Sequence, residues 1–547
     1  MLLPALTDLS DNLKKSVVCL SILMQSTNRS CNTLQSALGI FLHSCGTPET
    51  VREFLAHMGL SISTTSINEA ISNLSKEAIA ETCRIGKSLL TTYAYDNLDI
   101  DLKHSTPTVE NSAETLIHIT SGTLFPLHHV TIEDLHCSDE LWKMSPFNID
   151  ARPQDIPKPT FDQLFEIRPE PNEPHPSGLV RRERFNAWKF LSDLIHHGPE
   201  YFRKFKKDLE DPDVVEAIPV VKTQQVPLRC VDVSPSTPAQ NAEALDAFFK
   251  QGGIGDPADD PFAQPIHNTA IPISGDLLTC QHDRSLQESR AEENTPWRQQ
   301  QEIVFIMGLF HLKMACADAI WRIFIHPKGA RTDENSLIAH VGQIRPKETG
   351  KIETKPGFRR MHEVIQHVGI ASRLDIWCVE ASHLPQASSK TLSLEDFANT
   401  KPTWKDLCGM ANKMVEKYIA GDNLCEMREL PQAQRDKQYE NSLLRMQYFL
   451  LYEEISHAMN VGDIGWVELC FLPWMMIFAG CGKHKYATEM QRYLENVHFI
   501  YPKKLRFDLP LLDLCQTHDS IQSCNSNEYP LQPYRKARGI SCSGLGC

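Results

Sequence analysis

Three positions share a sequence context that can do chemistry. Asp96 lies within the apolar, aromatic run "YAYDNLDIDL", Asp276 closes an apolar run at "GDLLT", and His311 ends "EIVFIMGLFH". Ligands of α/β sheets gather at the carboxyl ends of strands. Two aspartates on neighbouring strands would set carboxylate oxygens around a hard cation, Mg2+ or Mn2+, as two-metal phosphoryl transfer requires. A third carboxylate from a following helix would complete the set, and Glu468 in "GDIGWVELC" is placed for it, in the first turns of a helix that Asp463 caps. Each residue also has a plain structural reading. Asp96 with Asn97 opens an Asx-turn, Asp276 and Asp463 cap helices, and His311 is a satisfied core histidine. Only their combination points to a site, with Asp96, Asp276 and Glu468 as candidate catalytic residues and the two aspartates as metal ligands.

The elements that must position these residues follow from periodicity. Apolar positions three and four apart make residues 11 to 90 helical, and "SISTTSINEAISNLSKEAIAETCRIGKSLL" reads as two short helices with Ser and Thr caps, as packing helices or as a helix-turn-helix. Strands are expected at "YAYDNLDIDL" and "TLIHITSGTLFPL". A proline-rich link runs from Ile149 to Pro176, because prolines deny the backbone both helix and ladder bonds. A helical block at 180 to 210, a strand-like "VVEAIPVVKT", apolar strands ending at Gly275 and at "EIVFIMG", and then mostly helix to about residue 500 complete the chain. The expected organisation is a helical region at 1–90, an α/β core at 91–330 with the insertion 149–176, a helical region at 331–512 and a disordered tail at 513–547.

The chain is long enough for two or three domains, at 547 residues. Its formal net charge of −14 argues against a protein that coats nucleic acid by bulk electrostatics. Local basic grooves remain as candidates at "RRERFNAWKF" (Arg181 to Phe190) and "YFRKFKK" (Tyr201 to Lys207), where cations interleave with aromatics; the simpler reading is an amphipathic helix with a solvated basic face. Seventeen cysteines without paired spacing read as reduced thiols. The most apolar stretch, after Val467, is broken by Pro473 and too short to span a bilayer, and the N-terminus lacks a signal-peptide pattern. Together these read as a soluble, intracellular protein, nuclear or cytoplasmic. "KQGGIGDP" lacks the Lys-Ser/Thr of a phosphate loop, and Cys481 with His484 has no second pair for a zinc site.

Several long blocks resemble the fungal family known as domain of unknown function 6589. They are "VVCLSILMQSTNRSCNTLQSALGIFLHSCGTPETVREFLAHMGLSIS" at 17–63, "YAYDNLDIDLKHSTPTVE" at 93–110, "HITSGTLFPL" at 118–127, "GDLLT", "GLFHLKMACADAIW" at 308–321, and "GDIGWVE" through "GKHKYA". The resemblance covers about residues 15 to 512. The family has no established activity, and its arrangement is similar to that of transposon-derived proteins with an RNase H-like core, in which a first-strand aspartate faces a fourth-strand one. Carried onto this chain, that analogy makes Asp96 the first-strand and Asp276 the fourth-strand residue, with "EIVFIMGLFH" as fifth strand and the helical block from 312 as an insertion before the last acidic helix. The chain departs from the family at Leu277, where Gln is commoner, and after about Leu512, where the tail looks like a truncation or a misassigned splice.

The expected fold is therefore α/β with large helical additions, mostly α overall, around an RNase H-like mixed sheet. The resemblance implies metal-dependent cleavage or transfer of a DNA strand, with DNA as partner, or a chain catalytically dead if the third carboxylate belongs to the missing segment. The alternative from a different class is a non-enzymatic scaffold for protein interactions, which the net acidity favours.

Overall fold

The computed structural model describes residues 11–101, 116–152, 154, 156–219, 221, 224–384, 393–503 and 505. The expected tail at 513–547 lies outside them. The chain forms two compact units: one holds the residues up to Ser88 with Phe249–Ile254 and Phe262–Gln264, the other holds the remainder.

The first unit contains the helices Asp11–Thr27, Thr33–Ser44, Glu49–His57 and Thr64–Gly86. The last is one helix of 23 residues, where the sequence suggested two short ones. Ser63 does cap it, accepting from the Ser66 N–H. Ser72, Asn73 and Ser75, in the middle of the stretch, are exposed on its solvated side. With no turn inside it, this stretch is not a helix-turn-helix. Gly86 lies so close to the Gly252 backbone that a Cβ there would stand 2.3 Å from the Gly252 carbonyl oxygen.

The second unit is mostly helical around a mixed five-stranded sheet. Its strands are β1 (Thr91–Asp101), β2 (Leu116–Pro126), β3 (Val226–Pro227), β4 (Ile271–Gly275) and β5 (Ile303–Met307), in the spatial order β3-β2-β1-β4-β5. The β1/β2 and β2/β3 pairs are antiparallel, whereas β1/β4 and β4/β5 are parallel. "VVEAIPVVKT" supplies no strand among its described residues. Ala217 forms an isolated bridge with Asp463 and the short β3 follows at 226. Proline in that run and β-branched residues without a neighbouring strand to pack on explain the difference.

The two halves of β1 differ in surroundings, which accounts for their composition. Thr91–Tyr93 and Tyr95 are buried, with the Tyr95 ring 5.8 Å from that of Phe248. β4 pairs only with Tyr93 and Ala94, so from Asn97 onward β1 continues beside β2 alone. Leu98, Ile100, Leu116 and Ile117 are exposed there, and Asp99 bonds His118 at 2.7 Å. An exposed two-stranded ribbon tolerates carboxylates at little desolvation cost, which a strand buried on both faces does not.

The largest core joins β5 to the helices Leu309–Phe324, Gly357–Ser382, Lys437–Val461 and Ile464–Gly480, with Trp466 and Trp474 fully enclosed. The apolar segment after Val467 is thus a core helix, and among the described residues no helix is long and apolar enough to cross a membrane. Several buried charged groups inside this unit are paired. Arg373 bonds Asp193 at 2.5 Å and Glu453 at 3.0 Å, and Lys189 reaches Asp193 at 2.9 Å. Arg182 bonds Glu454 at 2.9 Å and Arg184 bonds Asp213 at 2.9 Å, so the basic run "RRERFNAWKF" spends most of its charge on holding helices together.

Candidate functional site

The sheet brings Asp96 and Asp276 to one place. In the parallel β1/β4 pair Tyr93 faces Ile273 and Ala94 faces Ser274. Two residues further along the chain stand Asp96, midway along β1 where its pairing with β4 has ended, and Asp276, just past the end of β4. β5 continues the arrangement. Its register pairs Gly275 with Met307, the Gly308 N–H donates to the Gly275 carbonyl at 3.3 Å, and the next helix starts at Leu309 with His311 in its first turn. Glycines make this approach feasible: a Cβ on Gly308 would stand 3.2 Å from the Gly275 oxygen, and one on Gly275 would stand 2.9 Å from the Thr279 methyl.

Both aspartates also do local work. Asp276 is the N-cap of the helix Leu277–Ser289, its Oδ1 accepting from the Thr279 N–H at 2.8 Å. The Asp96 Oδ1 accepts from the Asn97 N–H at 2.8 Å. The cap reading of Asp276 is therefore realised, whereas Asp96 opens no turn, because β1 runs on unbroken to Asp101; each carboxylate still has a second oxygen to offer. The Asp96 carboxyl titrates above the usual aspartate range, chiefly because surrounding chain desolvates it, and the Asp276 charge pushes it further up. The Asn97 N–H and the His311 ring pull it down. Asp96, Asp276 and His311 thus lie within electrostatic reach of one another.

Sequence reasoning missed two neighbours. Tyr486, in the helix His484–Glu495, has its phenol pushed up to about 12 by burial and secondarily by the Asp276 charge. The start of that helix lies on the start of the 277–289 helix, where Lys485 donates to Gln281 at 3.0 Å. The signal was an unassigned tyrosine within "GKHKYA". The second is Asp283, buried on the 277–289 helix, whose Oδ1 accepts from the Asn241 amide at 2.5 Å and lies 3.3 Å from the Tyr95 hydroxyl. Burial pushes its carboxyl up to about 7, although the bonds from Asn241 and Tyr95 pull down. Asp283 thereby ties the helix capped by Asp276 to the residue preceding Asp96.

Glu468 is elsewhere engaged. It is buried on the helix Ile464–Gly480, accepts from Arg168 Nε at 3.0 Å, and lies 3.0 Å from His498 Nε2. Arg168 bonds Glu216 as well. Asp463 caps the same helix and also accepts from the Val215 and Glu216 N–H groups. Among the described residues no three His, Cys, Asp or Glu side chains group closely enough to hold a metal ion, so neither Glu468 nor His311 joins the aspartates as a third ligand.

The molecule is a mostly helical protein built on a mixed sheet, with one aspartate midway along β1 and another just past the end of the neighbouring β4. The model of a family of unknown function, DUF6589, matches residues 158–507, more than half of the sequence, and the chain belongs to that family. Asp276, His311 and Glu468 lie within the match; Asp96 and the resemblance blocks at 17–63, 93–110 and 118–127 precede it. Among solved structures the chain is similar to the Drosophila P element transposase strand transfer complex at 9% identity, over 91% of this chain and 100% of that one, with a TM-score of 0.24. A TM-score that low carries no argument about fold or function. No curated protein matches the chain.

Proposed function

We propose that this is an intracellular, transposase-derived protein with an RNase H-like core. In this reading it binds DNA and holds one divalent cation, Mg2+ or Mn2+, between Asp96 and Asp276, without cutting the strand. The observation that supports it best is the parallel β1/β4 pairing, with Asp96 midway along the first strand within electrostatic reach of Asp276 just past the end of the fourth. The donor set fits one cation, held loosely. Each carboxylate has one oxygen committed to a backbone N–H and one left, and the Asp276 charge, which adds to desolvation in raising Asp96, is a repulsion that a cation relieves. A hard cation wants about six oxygens, so most of its shell would be water and its affinity low. When bound, such an ion supplies Lewis-acid polarisation of a phosphodiester oxygen. The chain's own part is to hold two oxygens, one on β1 and one just past β4 where Gly275 and Gly308 meet, with the Asp283–Tyr95 tie behind them. Strand cleavage is not expected, because among the described residues Glu468 does not group with the two aspartates as a third carboxylate.

The test is a nicking assay on supercoiled plasmid with Mn2+. The full chain should give no nicking above its Asp276→Ala variant. Nicking that requires Mn2+ and disappears in both Asp96→Ala and Asp276→Ala would replace this reading with an active nuclease. One feature favours the scaffold reading instead: Leu13, Val17, Leu20 and Met24 are exposed at the alternating four- and three-residue spacing of a helix-pairing seam. If that seam is the function, the chain should self-associate in solution and bind no DNA.

A further inference from the structure

The short 3-10 helix Glu200–Lys207 reads "EYFRKFKK". At three residues per turn its side chains fall into three rows. Phe202 and Phe205 form the buried row. Arg203 and Lys206 share a second row with Glu200, and Lys204 and Lys207 share a third with Tyr201; all four cations are exposed. The Lys204 ammonium sits 3.8 Å from the Tyr201 ring centroid.

A segment two hundred residues later joins this surface. The Tyr201 hydroxyl donates to the Pro402 carbonyl at 3.0 Å, and the Phe205 ring lies 5.7 Å from that of Trp404. Lys401 and Lys405, both exposed, flank those meeting points. None of the six cations pairs with a described carboxylate. Acidic side chains on the same and adjoining segments are Glu200, Asp208, Glu210, Glu395, Asp396 and Asp406, of which Asp396 is already bonded by Ser393 and Asp406 by Thr403. The contrast with Arg182, Arg184 and Lys189, all ion-paired, is what distinguishes this run within an acidic chain.

A second observation concerns Lys401. It follows the helix Leu394–Asn399 with a backbone φ of 54°, the left-handed region in which helix-terminating residues are usually glycine. A lysine there keeps its charge on this surface at the cost of backbone strain, and strain of that kind concentrates at functional positions.

We propose that Arg203, Lys204, Lys206, Lys207, Lys401 and Lys405 form a surface for the phosphate backbone of DNA, read without sequence preference. Successive cations in one row stand about 6 Å apart, a spacing comparable to neighbouring phosphates on a strand. The half-buried Tyr201 and Trp404 carry the contacts that join the two basic segments. Interactions of this type position a nucleic acid and carry no sequence information. The inference rests on the DNA-binding part of the function proposed above.

The test measures binding of a labelled random-sequence duplex to the full chain by fluorescence anisotropy, from about 50 to 200 mM salt. The Lys204→Glu, Lys206→Glu, Lys207→Glu triple variant should bind at least tenfold more weakly at the low-salt end. The slope of log affinity against log salt should also shrink by about one for each phosphate that is no longer neutralised. Lys401→Gly should weaken binding while its melting temperature holds or rises, which loss of fold cannot do. Lys76→Glu, an exposed lysine on another helix, should bind as wild type. If wild type binds and the triple variant binds with the same slope, this inference falls and the DNA reading stands. If wild type binds no duplex at the low-salt end, both fall. Displacement of the duplex by polyglutamate as effectively as by unlabelled DNA would overturn the assignment to nucleic acid.

Discussion

Replacing Arg373 with Met should destabilise the larger unit by about 3–5 kcal/mol, the usual cost of removing one partner from a buried ion cluster. Arg373 is completely enclosed on the helix Gly357–Ser382, and its guanidinium reaches Asp193 on one helix and Glu453 on another. It is the link through which three helices share charge. Burial raises the Asp193 carboxyl, but Arg373 and Lys189 together hold it below the usual range. In wild type, then, this carboxylate contributes stability that is present above its unfolded pKa and lost as pH falls through the lower folded value. In the variant Lys189 alone remains, so the Asp193 folded pKa rises above its unfolded value. Its contribution is then present at acid pH and lost as pH rises. Between pH 5 and pH 8 only the second effect operates, because the wild-type contribution is lost below the unfolded value of about 3.9, and it narrows the gap between the proteins at pH 5. Denaturant midpoints at pH 5 and pH 8 check this, with the larger difference expected at pH 8. Adding Asp193→Asn and Glu453→Gln to the Met variant should recover part of the loss, because neutral groups cost less to bury.

Asp463→Ala should be comparably damaging, on the order of 3–6 kcal/mol. The carboxylate is almost wholly buried and accepts from three backbone N–H groups: Val215 at 2.7 Å, Glu216 at 2.9 Å and Trp466 at 2.9 Å. Each buried donor left without a partner costs about 1–3 kcal/mol, and an ordinary N-cap loss alone is about 1 kcal/mol. The excess over a normal cap is what distinguishes a latch between two segments from a helix end. Asn at this position retains one oxygen acceptor and should lose roughly half as much. Chemical denaturation of both variants is the measurement. A loss near 1 kcal/mol for Ala would show that the bonds to Val215 and Glu216 contribute little.

Strong local signals made part of this legible in the sequence. The aromatic and β-branched runs at β1, β2, β4 and β5 announce strands, and Ser63, Asp276 and Asp463 announce caps, because both depend on residues adjacent in the chain. β3 is two residues long and depends on pairing with Leu124 and Thr123, which no local pattern encodes. The 23-residue helix Thr64–Gly86 was obscured by polar residues that look the same whether they end a helix or line its wet face. Of the candidate site, residue types gave Asp96, Asp276 and His311. The commitment of Glu468 to Arg168 and His498 depends on partners 300 and 30 residues away and could not be read from "GDIGWVELC". The same holds for Asp283, which looks like one more polar residue on a helix until Tyr95 and Asn241 meet it. "YFRKFKK" shows its basic rows locally, but only the fold brings the segment of Lys401 and Lys405 to them.

The most direct measurement of the central claim is Mn2+ binding by the full chain, followed by electron paramagnetic resonance as loss of the free-ion signal. One ion should bind with a dissociation constant on the order of 10⁻⁴ to 10⁻³ M, weak because two carboxylates and water make up its shell. Asp96→Asn and Asp276→Asn should each abolish it, Glu468→Gln should leave it unchanged, and Mg2+ should compete. Because the Asp96 carboxyl lies above the usual range, binding should weaken at a higher pH than for a pair of ordinary aspartates. No bound Mn2+ at millimolar concentration, or binding that survives both Asp96→Asn and Asp276→Asn, would contradict the assignment of these two aspartates as a cation site.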